Sequence, residues 1–139
     1  MQTPQSKSPK MLVVDDEESI RQALKAYFTS RGYEVDCAQE LAEAQRLMEA
    51  VGYEVAIVDL RLTGIGGLEG LDVVGFLREQ NPRAHIVLLT AHGTPAIEAE
   101  AKRRGADAFV TKPLRLQVVA QVVYWLTERK TEKELVKIF

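Results

Sequence analysis

The chain has 139 residues, 46% hydrophobic and 27% charged, with 18 basic against 20 acidic side chains, which fits one globular domain with a single continuous core rather than a disordered chain. A net charge of -2 gives no reason to expect direct nucleic-acid binding. The longest uninterrupted aliphatic runs, such as residues 55–58 and 86–89, are four residues, against the roughly 20 a membrane span needs.

Residues 1–10 are polar, carry two prolines and lack the apolar centre of a secretory signal, so residues 1–8 read as a disordered lead-in and the location as cytoplasmic. The apolar run Lys10–Val14 predicts a first strand ending in Asp15-Asp16. Ile20, Ala23, Leu24, Tyr27 and Phe28 then recur at the spacing of one helix face. Asp15 or Asp16 is positioned to cap that helix, Glu17 and Glu18 suit its positive end, and Gly32 stands where a left-handed C-terminal residue is wanted. Residues 33–37 read as a second strand, and Cys37, the only cysteine, as a packed thiol. Leu41, Ala44, Leu47, Met48 and Val51 form a second helical stripe ended by Gly52, and residues 55–58 form a buried strand that ends at Asp59.

Past a Gly-rich loop, Leu71, Val74 and Leu77 mark a third helix stopped at Asn81-Pro82. His85–Thr90 supplies a fourth strand, and Thr94-Pro95 opens a fourth helix as N-cap and first-turn proline, ending near Gly105. Ile97 is its one large aliphatic residue, which predicts weak packing and a mobile helix. Ala108–Thr111 is a short fifth strand, and Leu116, Val119, Val123 and Leu126 give a fifth helix its stripe.

Strict alternation of strand and helix requires crossovers of one hand, hence a parallel sheet covered on both faces: a doubly wound α/β fold with five strands and five helices. Ligands of such sheets bind beyond the carboxyl ends of the strands. There the sequence puts Asp15 and Asp16, Asp59, Thr90, and Thr111-Lys112-Pro113. Three carboxylates in one crevice repel one another, so their pKa values rise or a cation neutralises them. Oxygen donors without a His or Cys cluster suit a hard ion such as Mg²⁺, which prefers to share its shell with phosphate oxygens. Lys112 and Thr90 are the group types that grip a transferring phosphoryl group, and one carboxylate would then be the nucleophile. Singly, each residue has an ordinary reading as a cap, a strand end or a loop position; it is their joint placement on one sheet edge that points to chemistry.

The motifs Val13-Val14-Asp15-Asp16-Glu17, Val58-Asp59, Leu89-Thr90-Ala91 and Gly105-Ala106-Asp107-Ala108-Phe109-Val110-Thr111-Lys112-Pro113, as an ordered set, resemble bacterial response-regulator receiver domains, whose fold is flavodoxin-like, or CheY-like. The resemblance covers residues 9–127 and leaves 128–139 as a C-terminal helical extension or linker. It implies that Asp59 is phosphorylated by a histidine kinase or phosphotransfer protein, and that Mg²⁺ is held by Asp15, Asp16, Asp59 and the backbone carbonyl of Arg61. It casts Thr90 and Lys112 as phosphate-sensing partners and Thr90 and Phe109 as the switch pair. Phosphorylation then reshapes the face of the fourth helix, fifth strand and fifth helix toward an output domain or effector protein. Within the family the Lys112-Pro113 bond is commonly cis, and the positions of Arg61 and His92 influence dephosphorylation rate, although His92 reads equally well as a solvated loop residue.

The chain departs from the family pattern in three places. Thr63 stands where a proline is usual, the Gly-rich stretch 63–70 is about three residues longer than usual, and Phe109 lacks the hydroxyl of the tyrosine often found there. The polar stretch 127–134 and apolar end 135–139 leave open a dimerising or linking helix, or a fold-back. Two rivals stand beside this reading. A haloacid-dehalogenase-type phosphatase would use Asp15 as nucleophile and needs an aspartate two residues later, where Glu17 stands. A phosphorylation-independent interaction module would not need the acidic residues at all. On the first reading the domain is no enzyme beyond its own phosphorylation and dephosphorylation.

Overall fold

In the computed structural model, residues 8–62, 69–91 and 93–128 are described. The lead-in 1–7, the loop 63–68, His92 and the tail 129–139 lie outside the described residues. The elements alternate as β1 (Lys10–Val14), α1 (Glu18–Thr29), β2 (Glu34–Ala38), α2 (Leu41–Ala50), β3 (Val55–Asp59), α3 (Glu69–Gln80), β4 (His85–Thr90), α4 (Pro95–Arg104), β5 (Ala108–Thr111) and α5 (Leu116–Glu128). All neighbouring strands pair in parallel, in the order β2-β1-β3-β4-β5.

The strand residues divide by parity, as a pleated sheet requires. Leu12, Val14, Ala56, Val58, Ile86 and Leu88 face a core closed by α2, α3 and α4. Met11, Val13, Val55, Ile57, Val87 and Leu89 face a second core closed by α1 and α5. Every residue of β3 is buried, because this strand has neighbours on both edges and helices over both faces. Each fully buried Val, Leu or Ile contributes about 1.5–3 kcal/mol of hydrophobic stabilisation, so the sheet anchors the strand ends firmly.

Helix ends follow their local chemistry with two corrections. Neither Asp15 nor Asp16 caps α1: Glu17 takes the N-cap position without a side-chain cap bond, because the Asp15 carboxylate is turned into the sheet edge instead. Gly52 does not end α2, which stops at Ala50 with Val51 in extended conformation. Gly32 and Gly105 do adopt positive φ, 96° and 122°, the region only glycine enters cheaply. Thr94 caps α4 by accepting from the Ile97 N–H at 3.2 Å. Within α4, Ala101 alone is fully buried and Ile97 only partly, so this helix contributes the least apolar contact of the five. A surface pair, Arg104 Nη1 to Asp72 Oδ1 at 3.0 Å, ties it to α3.

Candidate functional site at the carboxyl edge of the sheet

The winding direction reverses between β1 and β3, and the crevice opens where these two strands end. The chain leaves β1 through Asp15, whose N–H donates to Ala38 O at 3.1 Å and so continues the ladder one residue past the strand. Its fully buried carboxylate closes the turn, Oδ1 accepting from the Glu17 N–H at 2.9 Å. Across α1, Arg21 Nη1 donates to the Asp15 carbonyl at 2.8 Å.

Asp59 closes β3 with 5% of its surface exposed, and its Oδ1 accepts from the Arg61 N–H at 3.4 Å. The first turn of α3 lies directly on this strand end. A Cβ at Gly70 would sit 2.2 Å from Asp59 O and 2.7 Å from Leu60 Cα, so only glycine lets the helix approach. Thr90 closes β4, is buried, and its Oγ1 has no hydrogen-bond partner among the described residues. The Thr90 carbonyl accepts from the Lys112 N–H at 2.9 Å, which carries the β4–β5 pairing one residue beyond Thr111 and delivers Lys112 to the crevice. The Lys112-Pro113 peptide is cis.

Lys112 Nζ lies 3.3 Å from Asp59 Oδ2, 3.4 Å from Asp15 Oδ2 and 3.6 Å from Glu17 Oε1. One carboxylate oxygen from each of Asp15, Asp16 and Asp59 falls within 4.8 Å of the others, Asp16 on the exposed side. Burial pushes the Asp15 carboxyl up to about 6, against the Glu17 N–H, and Asp59 adds to the rise. Burial also raises Asp59, while Lys112 pulls it back. For Lys112 burial works against the charge, but Asp15 and Asp59 outweigh it and raise its pKa. One ammonium thus faces more carboxylates than it can neutralise. Among the described residues the buried Asp15 Oδ2 accepts no hydrogen bond and has only the shared Lys112 ammonium, at 3.4 Å, to offset it. An all-oxygen donor set with an unsatisfied buried carboxylate oxygen fits a hard divalent cation.

Asp15, Asp16, Asp59, Thr90 and Lys112 are therefore brought together as the sequence suggested. Arg61 follows β3 and is half-buried. Phe109 lies on β5, half-buried against the core under α2, α3 and α4. Two neighbours were not singled out from the sequence: Glu17 as a partner of Lys112, and Arg21 as a partner of the Asp15 carbonyl. Both rest on contacts across separate elements, which helical periodicity does not report. Cys37 donates to the Arg21 carbonyl at 3.9 Å and burial raises its thiol pKa, consistent with a packed thiol.

Comparison with known proteins places this geometry. The family model described as response regulator receiver domain matches residues 11–124. The chain is 38% identical over 103 residues to the photosynthetic apparatus regulatory protein RegA of Cereibacter sphaeroides, covering 74% of this chain and 54% of that protein. It is 33% identical over 135 residues to the alginate biosynthesis transcriptional regulatory protein AlgB of Pseudomonas aeruginosa, covering 93% and 29%. The chain thus spans about half of the first relative and under a third of the second. Among solved structures it resembles a Burkholderia pseudomallei response regulator with a phosphorylated aspartic acid, calcium ion and citrate, with 29% identity, TM-score 0.77, and coverage of 93% of this chain and 71% of that one. It also resembles the response regulator TrrA of Thermotoga maritima in complex with Mg²⁺ and BeF, with 32% identity, TM-score 0.71, and coverage of 85% and 98%. The described helices include none long and apolar enough to cross a membrane. A match over most of the chain, on a sheet of this order with its acidic edge intact, settles the family: the chain belongs to the response-regulator receiver domains of two-component signalling.

Proposed function

We propose that Asp59 is the phosphoacceptor, taking a phosphoryl group from the phosphohistidine of a sensor histidine kinase or phosphotransfer protein. The observation that carries this is the Asp59 carboxylate itself: nearly buried at the end of β3, poorly solvated, and held 3.3 Å from Lys112 beside two further carboxylates. A carboxylate oxygen attacks phosphorus in line, the P–N bond to imidazole breaks, and the leaving imidazole takes up a proton. Lys112 offsets charge on the phosphoryl oxygens, and the Thr90 hydroxyl, buried and without a hydrogen-bond partner among the described residues, is the donor proposed for one of them.

The Asp15, Asp16 and Asp59 carboxylates with the Arg61 carbonyl are the ligands proposed for Mg²⁺. When bound, the ion neutralises the carboxylate cluster and shares its shell with phosphoryl oxygens. The acyl phosphate later hydrolyses, with Arg61 and His92 tuning that rate. Movement of Thr90 toward the phosphoryl group and of Phe109 into the vacated space reshapes the α4-β5-α5 face, where an output domain, an effector or a second copy binds. A few kcal/mol of new contacts suffices to make a minor conformer dominant. The receiver occupies residues 9–127 and works in the cytoplasm, catalysing only its own phosphorylation and dephosphorylation.

Mass spectrometry after incubation with acetyl phosphate, with and without Mg²⁺, tests the assignment on wild type and Asp59→Asn. A Mg²⁺-dependent phosphoryl gain on wild type alone is the expected result; uptake by the Asp59→Asn protein would overturn it. Turnover of small phosphate esters with Asp15 as nucleophile would favour the phosphatase rival instead.

A further inference from the structure

We infer that Arg21 is a positioning residue for the cation site, acting through the main chain of Asp15. The inference rests on the Mg²⁺ reading above. The turn Asp15-Asp16-Glu17 supplies two of the three clustered carboxylates, so the site is only as rigid as this turn. Three bonds hold Asp15: its N–H to Ala38 O, its Oδ1 to the Glu17 N–H, and its carbonyl to Arg21 Nη1. The first two come from groups that any residue in the same backbone conformation would provide or that Asp15 provides itself. Of these, the third alone depends on a side chain elsewhere; the Lys112 ammonium, 3.4 Å from Asp15 Oδ2, pairs with the carboxylate and not with the main chain.

Arg21 is half-buried and sits one turn into α1, where its own N–H donates to Glu17 O at 3.1 Å. The same residue therefore ties both ends of the turn to the helix. Its contribution is a charge-assisted bond to a carbonyl at 2.8 Å, the stronger kind of hydrogen bond. Fixing that carbonyl fixes the direction in which Asp15 Oδ2 and the Asp16 carboxylate leave the backbone, and supporting contacts of this type are commonly worth tenfold or more in metal affinity.

The role has a sign that separates it from plain electrostatics. Taking a positive charge away from a cation site should by Coulomb's law tighten Mg²⁺ binding; losing a positioning bond should weaken it. Titration calorimetry of Mg²⁺ against wild type, Arg21→Met, Arg21→Lys and Lys25→Met reads the difference. Lys25 is exposed one turn further along α1 and serves as the charge control. Arg21→Met is expected to bind Mg²⁺ about tenfold more weakly, Arg21→Lys to recover most of the affinity, and Lys25→Met to bind as tightly as wild type or slightly tighter. Equal or tighter binding by Arg21→Met overturns the inference, while wild type that binds no Mg²⁺ overturns the cation reading beneath it. Arg21→Gln, neutral and too short for the same bond, carries the comparison if the methionine variant does not fold.

Discussion

Lys112 Nζ lies almost equally far from Asp59 Oδ2 and Asp15 Oδ2, 3.3 and 3.4 Å, although the two aspartates leave different strands. The backbone bond between Lys112 and Thr90 extends the β4–β5 pairing and sets where the lysine leaves the sheet, and its long side chain reaches the crevice from there. Replacing it with Lys112→Met leaves two buried carboxylates without their cation. At neutral pH and without Mg²⁺ the variant should lose about 2 kcal/mol of stability, the usual cost of an unsatisfied buried charged group. Its uptake of phosphate from acetyl phosphate should fall about 100-fold, as for other lost charge-stabilising donors. Urea denaturation and phosphorylation kinetics check the two halves separately.

Asp15 makes the metal-free protein less stable as pH rises. Its carboxyl titrates near 6 in the folded chain against an ordinary 3.8, so the folded state holds the proton more tightly than the unfolded one. Below about pH 4 both states are protonated and nothing is lost; between pH 4 and 6 the folded state gives way by up to about 3 kcal/mol. Asp59, also raised, adds in the same direction. Asp15→Asn should therefore match wild type near pH 4 and exceed it at pH 7 when both are metal-free, with Mg²⁺ stabilising wild type by mass action and narrowing the gap. Equal stability of the two proteins across this window would sink the assignment.

Thr90 carries a buried hydroxyl with no partner among the described residues. A polar group left unsatisfied costs stability, so Thr90→Val, which keeps the shape and removes the hydroxyl, should change resting stability by less than about 1 kcal/mol, or raise it. The same variant should bind beryllofluoride with Mg²⁺ more weakly than wild type. A large loss of resting stability would mean that the hydroxyl has a partner in the folded ground state.

The fold was legible because β1, β3, β4 and β5 are largely apolar runs closed by a punctuating residue, and β4 and β5 run His85–Thr90 and Ala108–Thr111 as their composition suggests; β2, with Glu34 and Asp36 on an edge strand, runs Glu34–Ala38, one residue later than 33–37. Asp59, Thr90 and Lys112 were legible for the same reason: each sits at or just past a strand end, and a doubly wound sheet gathers such ends. The helix termini were less so. Asp15 has the chemistry of an N-cap, yet its carboxylate is buried in the crevice and the cap position passes to Glu17. Arg21 escaped because its partner, the Asp15 carbonyl, lies across the β1–α1 turn, and Glu17 because its partner, Lys112, follows β5; no periodicity encodes either contact. The Gly-rich loop 63–68 falls outside the described residues, but its far end does not: Gly70 is required by the approach of α3 to β3.

Gly70 accordingly gives the sharpest steric test. An added methyl group would meet the Asp59 carbonyl at 2.2 Å and Leu60 at 2.7 and 2.8 Å, all of them backbone atoms, so no side-chain rotation relieves the contact. Gly70 also donates its N–H to Leu60 O at 3.0 Å, and a shift of α3 would strain that bond too. Gly70→Ala should cost about 1–3 kcal/mol, the usual range for overpacking, and displace the Asp59 end of β3. Mg²⁺ affinity should fall along with stability. The control is Gly75→Ala on the same helix, where a Cβ meets nothing within 4 Å; there the better helix propensity of alanine should stabilise by up to about 1 kcal/mol and leave Mg²⁺ binding unchanged. Thermal denaturation and Mg²⁺ titration of the two variants side by side decide whether α3 seats on the phosphoacceptor strand as described, since a tolerated Gly70→Ala with native Mg²⁺ affinity is incompatible with that packing.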